Sequence, residues 1–354
     1  MSTGLPLGLA ALAMSLAGCT TIASSTAGSA PPRIAMEEFM VPASDPGIEL
    51  YVRNKHPEGM TSVPPDKVLL FVHGATYPAE TAFDLPLNGV SWMDYIARRG
   101  YDVYLVDVRG YSRSTRPPEM SVPADRNEPI VRTETAVKDV SSVVEFIRKR
   151  RGVGKIDLMG WSWGTSIMGM YTARNNDKVH KLVLYAPQWL RQAASLTDSG
   201  GKLGAYRSVS MASAKARWLT GVPEDKKADL IPAGWFEAWA NATIATDPQG
   251  AASNPPVLRA PNGVVQDGRD YWSSGKPLYD PADIRVPTFL AHAEWDHDLP
   301  SYMLYAYFEK LANAPYKRYV QIGEGTHTVI MEKNRMQLFE AVQQFLDEEV
   351  RPGM

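Results

Sequence analysis

The chain has 354 residues, 44% of them hydrophobic, which is enough for one large core or two ordinary ones. Lys and Arg number 37 against 39 Asp and Glu, so there is no cationic excess of the kind a nucleic-acid partner requires. Cys19 is the one cysteine, which excludes any disulfide within the chain.

Residues 1–18 carry no charged side chain and are apolar from about Leu5 to Leu16. That run is shorter than the ~20 residues a membrane-spanning helix needs and suits the core of a signal peptide. Leu16-Ala17-Gly18-Cys19 resembles the lipobox of bacterial lipoproteins, in which the cysteine is acylated and becomes the new N-terminus. The resemblance implies a lipid anchor on Cys19 and a place in the bacterial cell envelope. No Lys or Arg precedes the apolar run, a departure from the usual signal-peptide start; without a working signal the expected place is the cytoplasm. Residues 19–33 are small, polar and proline-ended and read as a flexible tether.

Beyond the tether, short β-branched runs alternate with longer helical patterns, as in an α/β fold with a mostly parallel central sheet. Strands are expected at Glu49–Arg53, Val68–Val72, Val103–Val106, Ile156–Met159, Leu182–Tyr185, Thr288–Ala291 and Arg318–Ile322. Val137, Val140, Val144 and Ile147 keep the spacing of an amphipathic helix, and Leu338, Val342 and Phe345 do so near the C-terminus. The basic run Arg148 to Arg151 reads as a solvated helix end whose cations complement the helix dipole. From 188 to 280 the rhythm breaks: no convincing strand occurs, and Trp218, Trp235, Trp239 and Trp272 fall there, out of nine tryptophans. Such a stretch is too long for a connecting loop and reads as a helical cap inserted into a core made of residues 34–187 and 281–354.

Gly160-Trp161-Ser162-Trp163-Gly164 matches G-x-S-x-G, flanked by an incoming strand and an outgoing helix. A serine on so tight a turn adopts strained backbone angles, and residues two before and two after must be small enough for close backbone approach. Ser162 needs a base. Of the six histidines, His56 and His180 lie in charged segments and read as solvated. His73 and His292 suit turn or packing roles, and His297 sits between two aspartates. His327 follows the final strand, where catalytic groups gather in open α/β sheets, and is the expected base. Asp296, after the preceding strand, is expected to accept the His327 N–H. Asp298 reads instead as facing solvent or opening the following helix. Ala75, after His73-Gly74, and Trp163 are assigned as backbone N–H donors of an oxyanion hole.

The ordered set HGATYP, DVRGYSRS, GWSWG, AEWDHDLP and GEGTH resembles the α/β-hydrolase superfamily from about residue 37 to the end. The resemblance implies the α/β-hydrolase fold, acyl transfer through a covalent acyl-enzyme, water as final acceptor and no cofactor. Within the superfamily the texture is similar to bacterial carboxylesterases such as the phthalate-monoester hydrolases. The expected substrate is a small, partly apolar carboxylic ester, with Trp161, Trp163 and the cap tryptophans serving either as apolar walls or as ordinary core. Two other readings stand beside it: a C–C hydrolase of the meta-cleavage type, in which Trp commonly follows the catalytic His where this chain has Thr328, and a non-catalytic, lipid-anchored binding protein. No metal is expected, since H-E-x-x-H is absent and Asp296-His297-Asp298 is too compact a ligand set.

Overall fold

A computed structural model describes residues 1–4 and 32–350. The lipobox with Cys19, and nearly all of the expected signal peptide and tether, lie outside these residues. Among the described residues no helix is long and apolar enough to cross a membrane. The chain divides into two units, residues 1–31 and 32–354, and the fold belongs to the second.

Among the described residues ten strands occur: β1 (Ile34–Pro42), β2 (Glu49–Pro57), β3 (Val68–Val72), β4 (Asp102–Val106), β5 (Ile156–Trp161), β6 (Val179–Tyr185), β7 (Tyr206–Val209), β8 (Leu258–Pro261), β9 (Thr288–Ala293) and β10 (Lys317–Ile322). Eight form one sheet in the order β1-β2-β4-β3-β5-β6-β9-β10. The pairs from β4 through to β10 are parallel; β1 on β2 and β2 on β4 are antiparallel. The inner strands β3, β4, β5 and β9 bury every residue, as expected where helices flank a parallel sheet on both faces. At the edges, β1 and β10 alternate between covered and exposed side chains.

All seven expected strands are present, most with extra residues at one end. β1 was not anticipated, because Glu37-Glu38 interrupts its apolar pattern. The helix Thr133–Arg151 buries Val137, Val140, Val144 and Ile147 and stops at Gly152, whose φ of 68° suits the left-handed cap. Its basic end is engaged rather than merely solvated: Arg151 bonds Asp102 at 2.6 Å, Arg150 reaches Glu37 and Arg148 pairs with Glu145.

The insertion is not wholly helical, which corrects the expectation for 188–280. β7 and β8 pair there as an antiparallel ribbon, beside the helices Met211–Trp218 and Trp235–Ala245. Trp218 and Trp239 meet edge to face at 5.3 Å, with Phe236 against both. Trp239 also packs on Tyr77 at 4.8 Å, so the insertion's aromatic core docks on the loop that follows β3.

Candidate active site

Four chain segments follow the carboxyl ends of parallel strands, His73-Gly74-Ala75 after β3, Ser162 after β5, Asp296 after β9 and His327 after β10; Gly74 passes close to Ser162, and His327 meets Asp296. Ser162 has φ 57° and ψ −119°, a conformation that L side chains rarely adopt, and the helix Trp163–Arg174 starts directly after it. The glycines permit the turn. A Cβ on Gly160 would lie 2.2 Å from the Gly164 carbonyl oxygen, and one on Gly164 would lie 2.6 Å from that of Val72. The Ser162 N–H donates to Tyr185 O at 2.9 Å, while the Thr165 hydroxyl donates to Ser162 O at 2.6 Å. The elbow is therefore pinned from both the neighbouring strand and its own helix.

His327 Nδ1 lies 2.8 Å from Asp296 Oδ2, and the other oxygen of Asp296 accepts the Leu299 N–H at 2.8 Å. With the carboxylate as acceptor, Nδ1 carries the proton and Nε2 is left as the basic nitrogen. Burial alone would depress the His327 pKa, but the charges of Asp296 and Asp298 outweigh it and hold it above the ordinary value. Burial likewise works against the Asp296 carboxylate, and His327 more than offsets it, leaving that pKa below the usual range. The backbone carbonyl of His327 accepts from Trp161 Nε1 at 3.1 Å and from the Tyr185 hydroxyl at 2.6 Å, so two β-strand aromatics brace the loop. The Ser162 hydroxyl makes no hydrogen bond among those of the described residues; such contacts commonly tighten only when substrate binds.

Ala75 and Trp163 flank Ser162 in one cavity. Trp163 is the first residue of its helix, so its N–H has no acceptor within the helix. A Cβ on Gly74 would come within 2.9 Å of Ser162 Cβ, which is how closely the loop after β3 passes the serine. His73 fixes that loop: its Nε2 accepts the Val108 N–H at 3.2 Å and its Nδ1–H donates to Gly74 O at 2.7 Å. Complete burial pushes the His73 pKa down to about 4, so this ring is neutral and structural. Of the remaining histidines, His292 donates to Leu299 O inside the core, and His297 turns away to lie against Gly221 of the insertion. His56 and His180 are half-buried beside Glu37 and Asp157 rather than freely solvated.

Asp298 departs from expectation. It is 7% exposed and neither faces solvent nor opens the helix Ser301–Lys310; both its oxygens accept from Arg217 Nε, at 2.9 and 3.0 Å. Arg217 belongs to the insertion helix Met211–Trp218, which lies over the β9 exit and draws the carboxylate inward. The cavity at Ser162 encloses about 20 Å³, and Gln188, Arg191, Thr197, Arg217 and Asp298 make much of it polar. Tryptophan walls are mostly absent. Trp163 lines the cavity, but Trp161 backs the His327 ring, and Trp218, Trp239 and Trp272 are buried in core packing.

Glu332 is a further residue that sequence reasoning passed over. It is fully buried, and it accepts from Trp218 Nε1 at 2.6 Å, from the Thr326 N–H at 2.9 Å and from the Thr326 hydroxyl. Burial pushes its pKa up to about 7, against the pull of those donors. One carboxyl group thus ties the insertion to the residue preceding His327. Nothing in the spacing marks Glu332, Arg191 or Arg217 in advance, because their partners are remote in sequence.

Residues 67–334 match the family model described as alpha/beta hydrolase fold. "Lipase member M" of Mus musculus is 28% identical over 153 residues, 42% of this chain and 35% of that protein. The chain therefore spans about a third of that relative's length. Among solved structures, the 2-hydroxy-6-oxo-6-phenylhexa-2,4-dienoate hydrolase of Rhodococcus sp. strain RHA1 superposes with a TM-score of 0.59 at 12% identity, covering 89% of this chain and 100% of that one. A thermophilic esterase from Thermogutta terrifontis gives 0.55 at 15% identity, covering 88% and 98%. At such identities the structures attest the fold alone. The family match runs from the start of β3 to beyond the histidine loop, and the chain belongs to the alpha/beta hydrolase family.

Proposed function

We propose that the chain is a serine hydrolase of carboxylic esters, with Ser162 as nucleophile, His327 as general base and Asp296 as its orienting acid. The observation that carries the reading is the 2.8 Å contact of His327 Nδ1 with Asp296, together with a serine held at a positive φ on a helix N-terminus. In this reading Ser162 Oγ attacks the ester carbonyl while His327 Nε2 takes its proton. The oxyanion accepts from the N–H groups of Ala75 and Trp163. Collapse expels the alcohol, which receives the proton from His327. Water, deprotonated by the same nitrogen, then releases the acid and restores Ser162.

A cavity of about 20 Å³ holds roughly one water, so substrate entry requires its walls to shift. Small esters fit that constraint best. The Cys19 lipid anchor is proposed on the lipobox alone, with the cell envelope as the place of action.

Ser162→Ala is the direct test. It should lower kcat on p-nitrophenyl esters by about 10⁴-fold or more with the fold intact. A fluorophosphonate probe should label wild type and not the variant. Undiminished turnover in Ser162→Ala would remove the reading.

A further inference from the structure

A second cavity of about 240 Å³ adjoins the one at Ser162, and Thr197 and Arg217 line both. Arg207, from β7, forms part of its wall. Its guanidinium bonds only to uncharged oxygens: Nη1 to Pro261 O at 2.6 Å, and Nη2 to the Thr76 hydroxyl at 2.6 Å. Nε is buried with no acceptor at all. Among the described residues no carboxylate pairs with Arg207, and the charge of a second cation, Arg217, itself balanced by Asp298, acts against it. Burial and that cation both press the Arg207 pKa downward. Arg191, in the wall beside Ser162, likewise donates only to backbone oxygens, those of Ala193 and Asp298.

Three guanidiniums thus line two adjoining cavities against one carboxylate. A desolvated cation without a counter-charge is costly and is retained where a ligand completes it. We propose that Arg207 is an anion subsite for the substrate, and that the ester cleaved at Ser162 carries one carboxylate at its far end. Nε keeps an unspent N–H, and a carboxylate entering the cavity would take donors of this guanidinium in place of the neutral Thr76 hydroxyl. Thr76 follows Ala75 directly, so charge binding at Arg207 is transmitted to the loop that carries an oxyanion donor. Thr197, Ser199 and Ser208 line the same cavity, and their hydroxyls suit the remaining carboxylate lone pairs.

The inference rests on Ser162 as nucleophile, and the two fail differently: if Ser162 is not the nucleophile no ester is cleaved by it, whereas without the subsite esters are cleaved with no preference for charge. The test compares mono-p-nitrophenyl succinate, glutarate and adipate with neutral p-nitrophenyl esters of matching length, with corrections for spontaneous hydrolysis. Wild type should favour at least one half-ester over its neutral counterpart by about tenfold or more in kcat/KM. Arg207→Met should lower that ratio by about tenfold, and Arg207→Lys should recover part of it. A merely structural Arg207, holding β7 and β8 to Thr76, would leave the ratio unchanged, and that result overturns the proposal. So does a wild-type preference for the neutral member of every pair, which decides the matter even if the variants do not fold. A phosphonate analogue preferred over the carboxylates would overturn the assignment of a carboxylate.

Discussion

His327 and Asp296 lie 31 residues apart, yet their meeting was legible, because Asp296 follows the apolar run of β9 and His327 follows the alternating edge strand KRYVQI just before the last helix. Asp298 was not, because its environment is supplied by Arg217 from a separate segment, and no local pattern announces such a partner. The two aspartates should separate cleanly in kinetics. Activity needs His327 neutral, so kcat/KM should rise with pH through an apparent pKa above the ordinary value of about 6.5, since Asp296 and Asp298 raise it. Asp296→Asn should cost about 10⁴-fold in kcat and move the midpoint of the remaining activity to lower pH, because burial then acts on His327 with less opposition. An unshifted profile in that variant would contradict the pairing. Asp298→Asn leaves the Arg217 charge without its carboxylate, and should cost up to about 3 kcal/mol in stability while keeping kcat within about tenfold.

Elements differ in how loudly they speak. β3 is VLLFV, buried on both faces, and its ends were read to the residue; β7 and β8 are four residues each, carry arginines, and β8 ends in proline, so neither resembles a strand in isolation. They exist because the insertion pairs them across some fifty residues of chain, from Tyr206 to Pro261 at their ends. The strand–turn–helix element at Ser162 was legible for a steric reason that can be probed. Gly160→Ala would drive a Cβ to within 2.2 Å of Gly164 O, a backbone atom that cannot swing aside. Loss of several kcal/mol, or failure to fold, is expected in thermal melts. Gly154→Ala, with open space around its Cβ, serves as the control and should change stability by less than about 1 kcal/mol. Equal melting of the two variants would show that the elbow tolerates side chains after all.

At the scale of the molecule, the mostly parallel sheet was legible in the alternation of strand and helix patterns and the insertion in the break of that rhythm from 188, while the insertion's paired strands were missed. Of the two roles open to its tryptophans, wall or core, Trp218 and Trp239 take the second and give the long insertion a core of its own. The proposed anchor predicts that the native protein fractionates with membranes and dissolves in detergent. Cys19→Ser should abolish this, and an unmodified, unprocessed N-terminus in native cells would remove the proposal. The shared carboxyl of Glu332 has a larger consequence. Trp218 of the cap and Thr326 beside His327 bond the same carboxyl group, so Glu332 gives cap opening a direct route to the loop that carries His327. The Thr326 amide and the Trp218 indole should therefore report the same free energy of opening in deuterium exchange, and unequal values would show that cap and loop move separately. On the proposed mechanism, a cap that opened together with this loop would make admitting substrate and holding the base ready mutually exclusive states, with closure restoring the second.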